Sequence, residues 1–159
     1  MMPNPVKAAR SQAGLTQAEL AEKAQVTRQV VVLTEQGLYK QPPESVIRVL
    51  CRLDFTSHAV LLANYAGWVE NQRYSHQHLF RPVDLRITPG DRWAALKSQV
   101  AGKSQQGFCR ALVYQPSLVR EFEKFGRGSA GIYSALRQCG LPNTQVELLS
   151  AGLKDAASY

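Results

Sequence analysis

Residues Thr16–Gly37 read TQAELAEKAQVTRQVVVLTEQG, and this stretch decides the fold. Its spacing predicts two short helices set at an angle around a three-residue turn. Thr16 is a good N-cap, and Glu19 three residues on completes a capping box. Leu20 and Ala21 open the apolar face of the first helix, and Ala24 closes it. Gln25 and Val26 make the turn, Thr27 caps a second helix that runs to Glu35, and Gly37 stops it. Ala21 falls where the two helices cross, and only a small side chain permits so close an approach. Val26, Val31 and Thr34 fill the inner face, which leaves Arg28, Gln29, Val32 and Leu33 pointing outward. That outer face suits a major groove, because Arg pairs with guanine, Gln with adenine, and branched apolar groups meet the thymine methyl. The residues themselves predict a DNA-reading helix-turn-helix.

From VKAARSQAGLTQAELAEKA to VTRQVVVLTEQG, the chain also resembles the Cro/CI-type helix-turn-helix domain of the XRE family. The likeness covers residues 4 to about 70, less than half of the chain. It implies a five-helix domain that binds double-stranded DNA. By that resemblance Gln17, at the start of the positioning helix, touches a phosphate or a base edge. Thr27, Arg28, Gln29 and Val32 take base- and phosphate-reading positions, and Tyr39 and Lys40 fall where the family often meets the sugar-phosphate backbone. Arg10 and Glu35 match a partly buried ion pair that ties helix 1 to the end of helix 3. Two departures matter. Val30 and Val32 replace residues that are usually polar, which favours thymine-methyl contacts. Thr34 stands where a larger apolar residue is typical, so either Thr34 or Leu33 takes the core position.

Working outward, Asn4 caps a first helix with Pro5 at its first position and Gly14 just past its end. Pro43 starts a fourth helix, ESVIRVLCRL, with Val46, Val49, Leu50 and Leu53 inward. Thr56 or Ser57 caps a fifth, HAVLLANYAGWVENQ. Residues 73–91, RYSHQHLFRPVDLRITPGD, lose the helical period, alternate briefly at VDLRIT, and carry the turn signal Pro89-Gly90. They read as a linker with one short strand. His76 and His78 read as exposed loop residues, since no further ligand lies near them in sequence. Arg81 and Arg86 belong either to a solvated linker or to a basic arm that follows phosphates or enters a minor groove.

Shifted by 88 residues, SQAGLTQAELA falls on QVAGKSQQGFC. Over positions 13–35 there are five identities: Ala13/Ala101, Gly14/Gly102, Gln17/Gln105, Val31/Val119 and Glu35/Glu123. With a shift smaller by three, Ile47/Ile132, Arg52/Arg137 and Ala66-Gly67/Ala151-Gly152 also correspond. Any small helical domain has amphipathic pieces at similar spacing, but these matches fall on caps, the crossing residue and core positions. Local signals agree. Asp91 caps a helix from Arg92 to Val100, Ser104 caps SQQGFCRAL, and Val113-Tyr114-Gln115 makes a turn. Pro116 opens PSLVREFEKF, which Gly126 stops, with Val119 and Phe122 inward. Helices at Ser129–Cys139 and Asn143–Leu153 complete a second set of five. A second helix-turn-helix would offer Gln105, Gln115, Ser117, Arg120 and Lys124 to DNA.

The expectation is therefore an all-α chain: a helix-turn-helix domain over 1–72, a linker over 73–91, and a second helical, helix-turn-helix-like domain over 92–159. Charge points the same way. The chain carries 19 basic and 12 acidic residues, a net +7, which favours an anionic partner. Residues 1–80 hold 8 basic and 6 acidic groups and 81–159 hold 11 and 6, so the second half is the more basic. Cys51, Cys109 and Cys139 lack metal-ligand spacing and suit thiols packed as small hydrophobes in a reducing cytoplasm. No metal, cofactor, apolar leader or membrane span is expected. No nucleophile elbow, HExxH or P-loop appears, and acidic residues are too sparse for paired-carboxylate chemistry, so the chain is not expected to be an enzyme.

The reading is a sequence-specific transcriptional regulator, a repressor of phage or mobile-element type, with two reading helices on an asymmetric site. The two-unit plan resembles that of some temperate-phage immunity repressors of actinobacteria. Two different readers let a monomer reach the specificity that single-domain relatives reach as homodimers. The alternative is an antitoxin or adaptor whose second domain binds a protein partner through Leu118, Phe125 and Leu141.

Overall fold

The structure, a computed structural model, describes residues 3–54, 56–125 and 129–149. Every regular element among them is helical. The chain divides into two compact units, 1–69 and 70–159.

In the first unit, α1 (Pro5–Gln12) is opened by Asn4, whose side-chain oxygen accepts from Val6 N–H at 2.8 Å. The same side chain donates from Nδ2 to the Thr34 carbonyl at 3.1 Å, so one cap also holds α1 against the end of α3. α2 (Gln17–Ala24) carries the complete capping box: Glu19 N–H donates to Thr16 Oγ1 at 3.1 Å, and Thr16 N–H to Glu19 Oε1 at 3.2 Å. Gln25 turns the chain in the left-handed region at φ 56°, and Thr27 caps α3 (Arg28–Glu35). Thr34 takes the core position and is fully buried, its hydroxyl donating to the Val30 carbonyl at 2.7 Å, while Leu33 is half-buried. A Thr serves here because its hydroxyl finds a partner inside its own helix.

α4 (Glu44–Asp54) begins one residue after Pro43, whose carbonyl accepts from Val46 and Ile47. Its inward residues are Val46, Ile47 and Leu50; the expected Val49 is only half-buried and Leu53 is exposed, so the buried stripe lies to the Ile47 side. Ser57 Oγ accepts from Val60 N–H and caps α5 (His58–Ser75), whose Leu61, Tyr65 and Val69 are buried. The Tyr65 hydroxyl donates to the Tyr39 carbonyl at 2.7 Å, which fixes the loop after α3.

The second unit comprises α6 (Arg92–Ala101), α7 (Gln105–Leu112), α8 (Pro116–Phe125), α9 (Ser129–Gln138) and α10 (143–149). Its core joins Trp93, Leu96, Phe108, Leu112, Val119 and Phe122 to Ile132, Leu136 and Leu149. Residues 73–91, read from the sequence as a linker, are instead part of this fold. They start in the last turns of α5, pass through single 3₁₀ turns at Gln77–Leu79 and Pro89–Asp91, and form no strand. Phe80 and Val83 are buried in the core, and the buried Gln145 exchanges hydrogen bonds with Val83 N–H and carbonyl at 3.1 and 3.3 Å. The polar surroundings of these few apolar residues hid the packing. Asp91 does not cap α6 either; its carboxylate accepts from Thr88 Oγ1 at 3.0 Å. Gly126 and residues 150–153, including the Ala151-Gly152 match, lie outside the described residues.

Arg73 holds the turn after α7. It donates to the carbonyls of Leu112 (2.8 Å) and Val113 (2.7 Å) and to Gln138 Oε1 (2.8 Å), and its guanidinium lies 5.9 Å from the Tyr114 ring centroid. His76, half-buried rather than exposed in a loop, places Nδ1 at 2.7 Å from the Ala111 carbonyl, while His78 is exposed. These carbonyls close α7 and have no helical partner. Val113 sits at φ 53°, an unfavourable place for a β-branched residue. Arg73→Ala is therefore expected to destabilise the second unit by about 2 kcal/mol, the scale of charge-assisted hydrogen bonds. Denaturant unfolding followed by Trp93 fluorescence in a Trp68→Phe background checks this, and an unchanged midpoint would contradict it.

Cys109 and Cys139 are fully buried, and burial pushes their thiols up to about 11 and about 12. Both therefore stay protonated at neutral pH and pack as small apolar groups. Cys51 is half-buried. No helix among the described residues is long and apolar enough to cross a membrane.

Candidate nucleic-acid interface

The α2–α3 pair is locked from behind by a three-residue clamp. Arg10 donates from Nε at 3.0 Å and from Nη2 at 2.9 Å to Glu35 Oε1, and from Nη1 to the Leu15 carbonyl at 2.8 Å. Gln17 Nε2 donates to Glu35 Oε2 at 2.9 Å. Both carboxylate oxygens are thus occupied, one by helix α1 and one by the first residue of α2. The ion pair expected from the family resemblance is present; the Gln17 bond was not foreseen. It leaves Gln17 one N–H and its carbonyl oxygen for an outside partner.

With α3 held this way, Arg28 and Gln29 are exposed at its first turn and Val32 lies half-buried on the same side. Thr27 is exposed, its Oγ1 3.4 Å from Val30 N–H. Lys40 is exposed and Tyr39 half-buried in the following loop.

The second unit repeats this construction in register. Ser104 Oγ accepts from Gly107 N–H at 2.9 Å, as Thr16 accepts from Glu19. Val113 is left-handed at φ 53°, as Gln25 is at φ 56°. The N–H after it returns to the carbonyl five residues back, Tyr114 to Cys109 at 3.1 Å and Val26 to Ala21 at 3.0 Å. Gly14 and Gly102 end the preceding helices at φ 71° and 63°, where a Cβ would be strained. The clamp recurs as well. Gln105 Nε2 donates to Glu123 Oε1 at 2.6 Å, and Lys97 Nζ stands 2.8 Å from Glu123 Oε2. Lys97 lies 87 positions after Arg10, and the shift becomes 88 from Ala101 on, because the stretch from Lys97 to Gly102 is one residue longer than that from Arg10 to Gly14. That change of shift takes Lys97 out of line with Arg10, although Gln and Glu stand 18 residues apart in both copies.

Of the second set of expected DNA-facing residues, Ser117, Arg120 and Lys124 are exposed on α8, and Lys124 Nζ lies 5.2 Å from the Phe125 ring centroid. Gln115 is half-buried and donates to Ser117 Oγ at 3.0 Å, which takes up one amide N–H and one hydroxyl lone pair. Gln105 points its amide into the clamp. Outside the two helix pairs, Arg81 is exposed, and Arg86 makes a bidentate pair with Asp84 at 3.1 and 2.8 Å. That pairing holds the Asp84 carboxyl below its usual range, so a phosphate would have to compete for Arg86. Leu118 and Phe125 are 38 % and 54 % exposed, but Leu141 is buried in the core, so the docking face required by the adaptor reading loses one of its three residues. Among the described residues no group of three His, Cys, Asp or Glu is placed to hold a metal.

The helix-turn-helix domain family matches the chain over residues 6–58, from the second residue of α1 to the first of α5. No curated protein and no solved structure matches it. Residues 6–58 carry a helix-turn-helix domain, and binding to DNA is what such a domain implies.

Proposed function

We propose that the protein is a sequence-specific regulator of transcription that binds double-stranded DNA through two reading helices, α3 and α8, on an asymmetric site. It acts as a repressor of the Cro/CI (XRE) type by occluding a promoter, in the manner of phage or mobile-element immunity regulators. The observation that carries the reading is the clamp, built once as Arg10–Glu35–Gln17 and again as Lys97–Glu123–Gln105 behind two helix pairs of matching geometry. A buried carboxylate that is fully partnered fixes the angle of the helix carrying it, which is what a helix that must enter a groove requires. In the first unit Arg28, Gln29 and Val32 read bases, with Gln17, Thr27, Tyr39 and Lys40 on the backbone. In the second, Arg120 and Lys124 belong to the DNA surface. Specificity is read by base contacts and position by phosphate contacts.

Arg28→Ala and Gln29→Ala test the first reader. Each is expected to lose about 1–3 kcal/mol of binding and to relax preference at one or two base pairs, with folding unchanged because both side chains are exposed. Selection of bound fragments from random DNA reads both effects. A selected motif identical to that of the unaltered protein would remove α3 from the role of reader.

A further inference from the structure

The two helix pairs correspond without a gap from the cap (Thr16, Ser104) to the clamp glutamate (Glu35, Glu123), so their outer residues can be compared position by position. The buried Val31 and Val119 confirm the phase. Arg28 then corresponds to Pro116, Gln29 to Ser117, Val32 to Arg120 and Gln36 to Lys124. The two helices therefore place their groups at different depths along the same stripe. In α3 the cation and the amide stand at the first turn, with an apolar Val32 one turn on. In α8 the first turn offers a proline and a serine, and Ser117 Oγ already accepts from Gln115. The first cation comes one turn later, at Arg120. It is exposed and makes no ion pair among the described residues. Lys124 lies a further turn on, in the last turn of the helix.

Position along the stripe separates the roles. A reading helix of this kind meets base edges with its N-terminal part and phosphates towards the rim. Arg120 stands i+4 from Pro116 and i+3 from Ser117, on the stripe that Arg28, Gln29 and Val32 occupy in α3. From that stripe a guanidinium takes guanine O6 and N7 together, whereas a valine offers only a methyl surface to thymine. We infer that Arg120 is the specificity-determining residue of the second unit, taking a guanine at the place in its half-site where the first half-site presents a thymine to Val32. This rests on the two-reader function above and assigns the chemistry of its second half.

The test uses the full chain, the duplex site selected from random DNA, and all four bases at each position of the second half-site. Arg120→Gln is expected to move the preferred base at one position from guanine to adenine, and Arg120→Val to move it to thymine. Each variant should change the ratio to guanine by about tenfold or more. All other positions should keep their preferences. Trp93 fluorescence, read in a Trp68→Phe background, verifies that the second unit remains folded. If instead both variants weaken every sequence alike and lower the salt slope by about one, Arg120 contacts a phosphate and the inference fails while the two-reader function stands. If both variants, and Lys124→Ala beside them, bind every duplex as the unaltered chain does, α8 does not meet DNA and the function itself fails for the second unit.

Discussion

Glu35→Ala is expected to destabilise the first unit by about 3 kcal/mol, the scale on which removing one partner of a buried ion pair acts. The Glu35 side chain is 5 % exposed and that of Arg10 13 %, so neither partner can recover solvation when the other is removed. The loss also strands the Gln17 amide, which shares the carboxylate. With a total stability of about 5–15 kcal/mol for a domain, such a change is a large fraction of the whole. Arg10→Ala leaves the carboxylate buried with only Gln17 beside it and is expected to cost a similar amount. The Arg10→Ala/Glu35→Ala double variant should be no less stable than the worse single one, because no unpaired charge is left behind. Trp68 lies in the first unit and Trp93 in the second. A Trp93→Phe background therefore lets Trp68 report the first unit by itself in a double-mutant cycle. Additive losses would mean that the clamp is no energetic unit. The corresponding Glu123→Ala effect should be smaller, since Lys97 and Glu123 are each 23 % exposed and the pair is better solvated.

A larger effect is expected on the DNA side. Scrambling either half of the selected site is predicted to weaken binding by the full chain 10²–10⁴-fold, the gain expected when two modest contacts are made by one tethered molecule. One reading helix covers too few base pairs to produce such affinity and specificity alone. The intact site should be non-palindromic, since Arg28-Gln29 and Pro116-Ser117 present different chemistry, and it should carry one chain per duplex by sedimentation. A palindromic minimal site holding two chains would show instead a homodimer reading through α3 twice. Tolerance to scrambling of one half would confine reading to a single unit.

How much of this was legible in the sequence depended on the range of the interaction concerned. The caps at Asn4, Thr16, Thr27 and Ser104, the two turns, and the start of α8 at Pro116 were readable because each is made between residues two or three apart. Local chemistry of this kind fixes which backbone groups lack partners, and short polar side chains or a proline at the helix start answer that need. The repeat at a shift of 88 was readable for the same reason: its matches are caps, turns and core positions, all set by helical period. The Arg10–Glu35 pair was legible only through a resemblance, since nothing local to either residue announces it.

Tertiary structure decided the rest. Whether Thr34 or Leu33 is buried depends on the exact direction of α3 over α1, to which Asn4 is tied by its bond to the Thr34 carbonyl. Residues 73–91 look like a linker by composition, but Phe80 and Val83 find a core assembled from helices that follow much later in the chain. Arg73 meets the end of α7 some 40 residues on, and Gln17 also braces Glu35 across 18 residues. None of these could be predicted by period or capping, because a buried donor or carboxylate takes whichever partner the packed helices bring within 3 Å. By itself the sequence determined that the described residues are helical, where most of their helices start, and that one pattern of caps and core positions occurs twice; the packing decided which side chains brace those helices and which stay exposed.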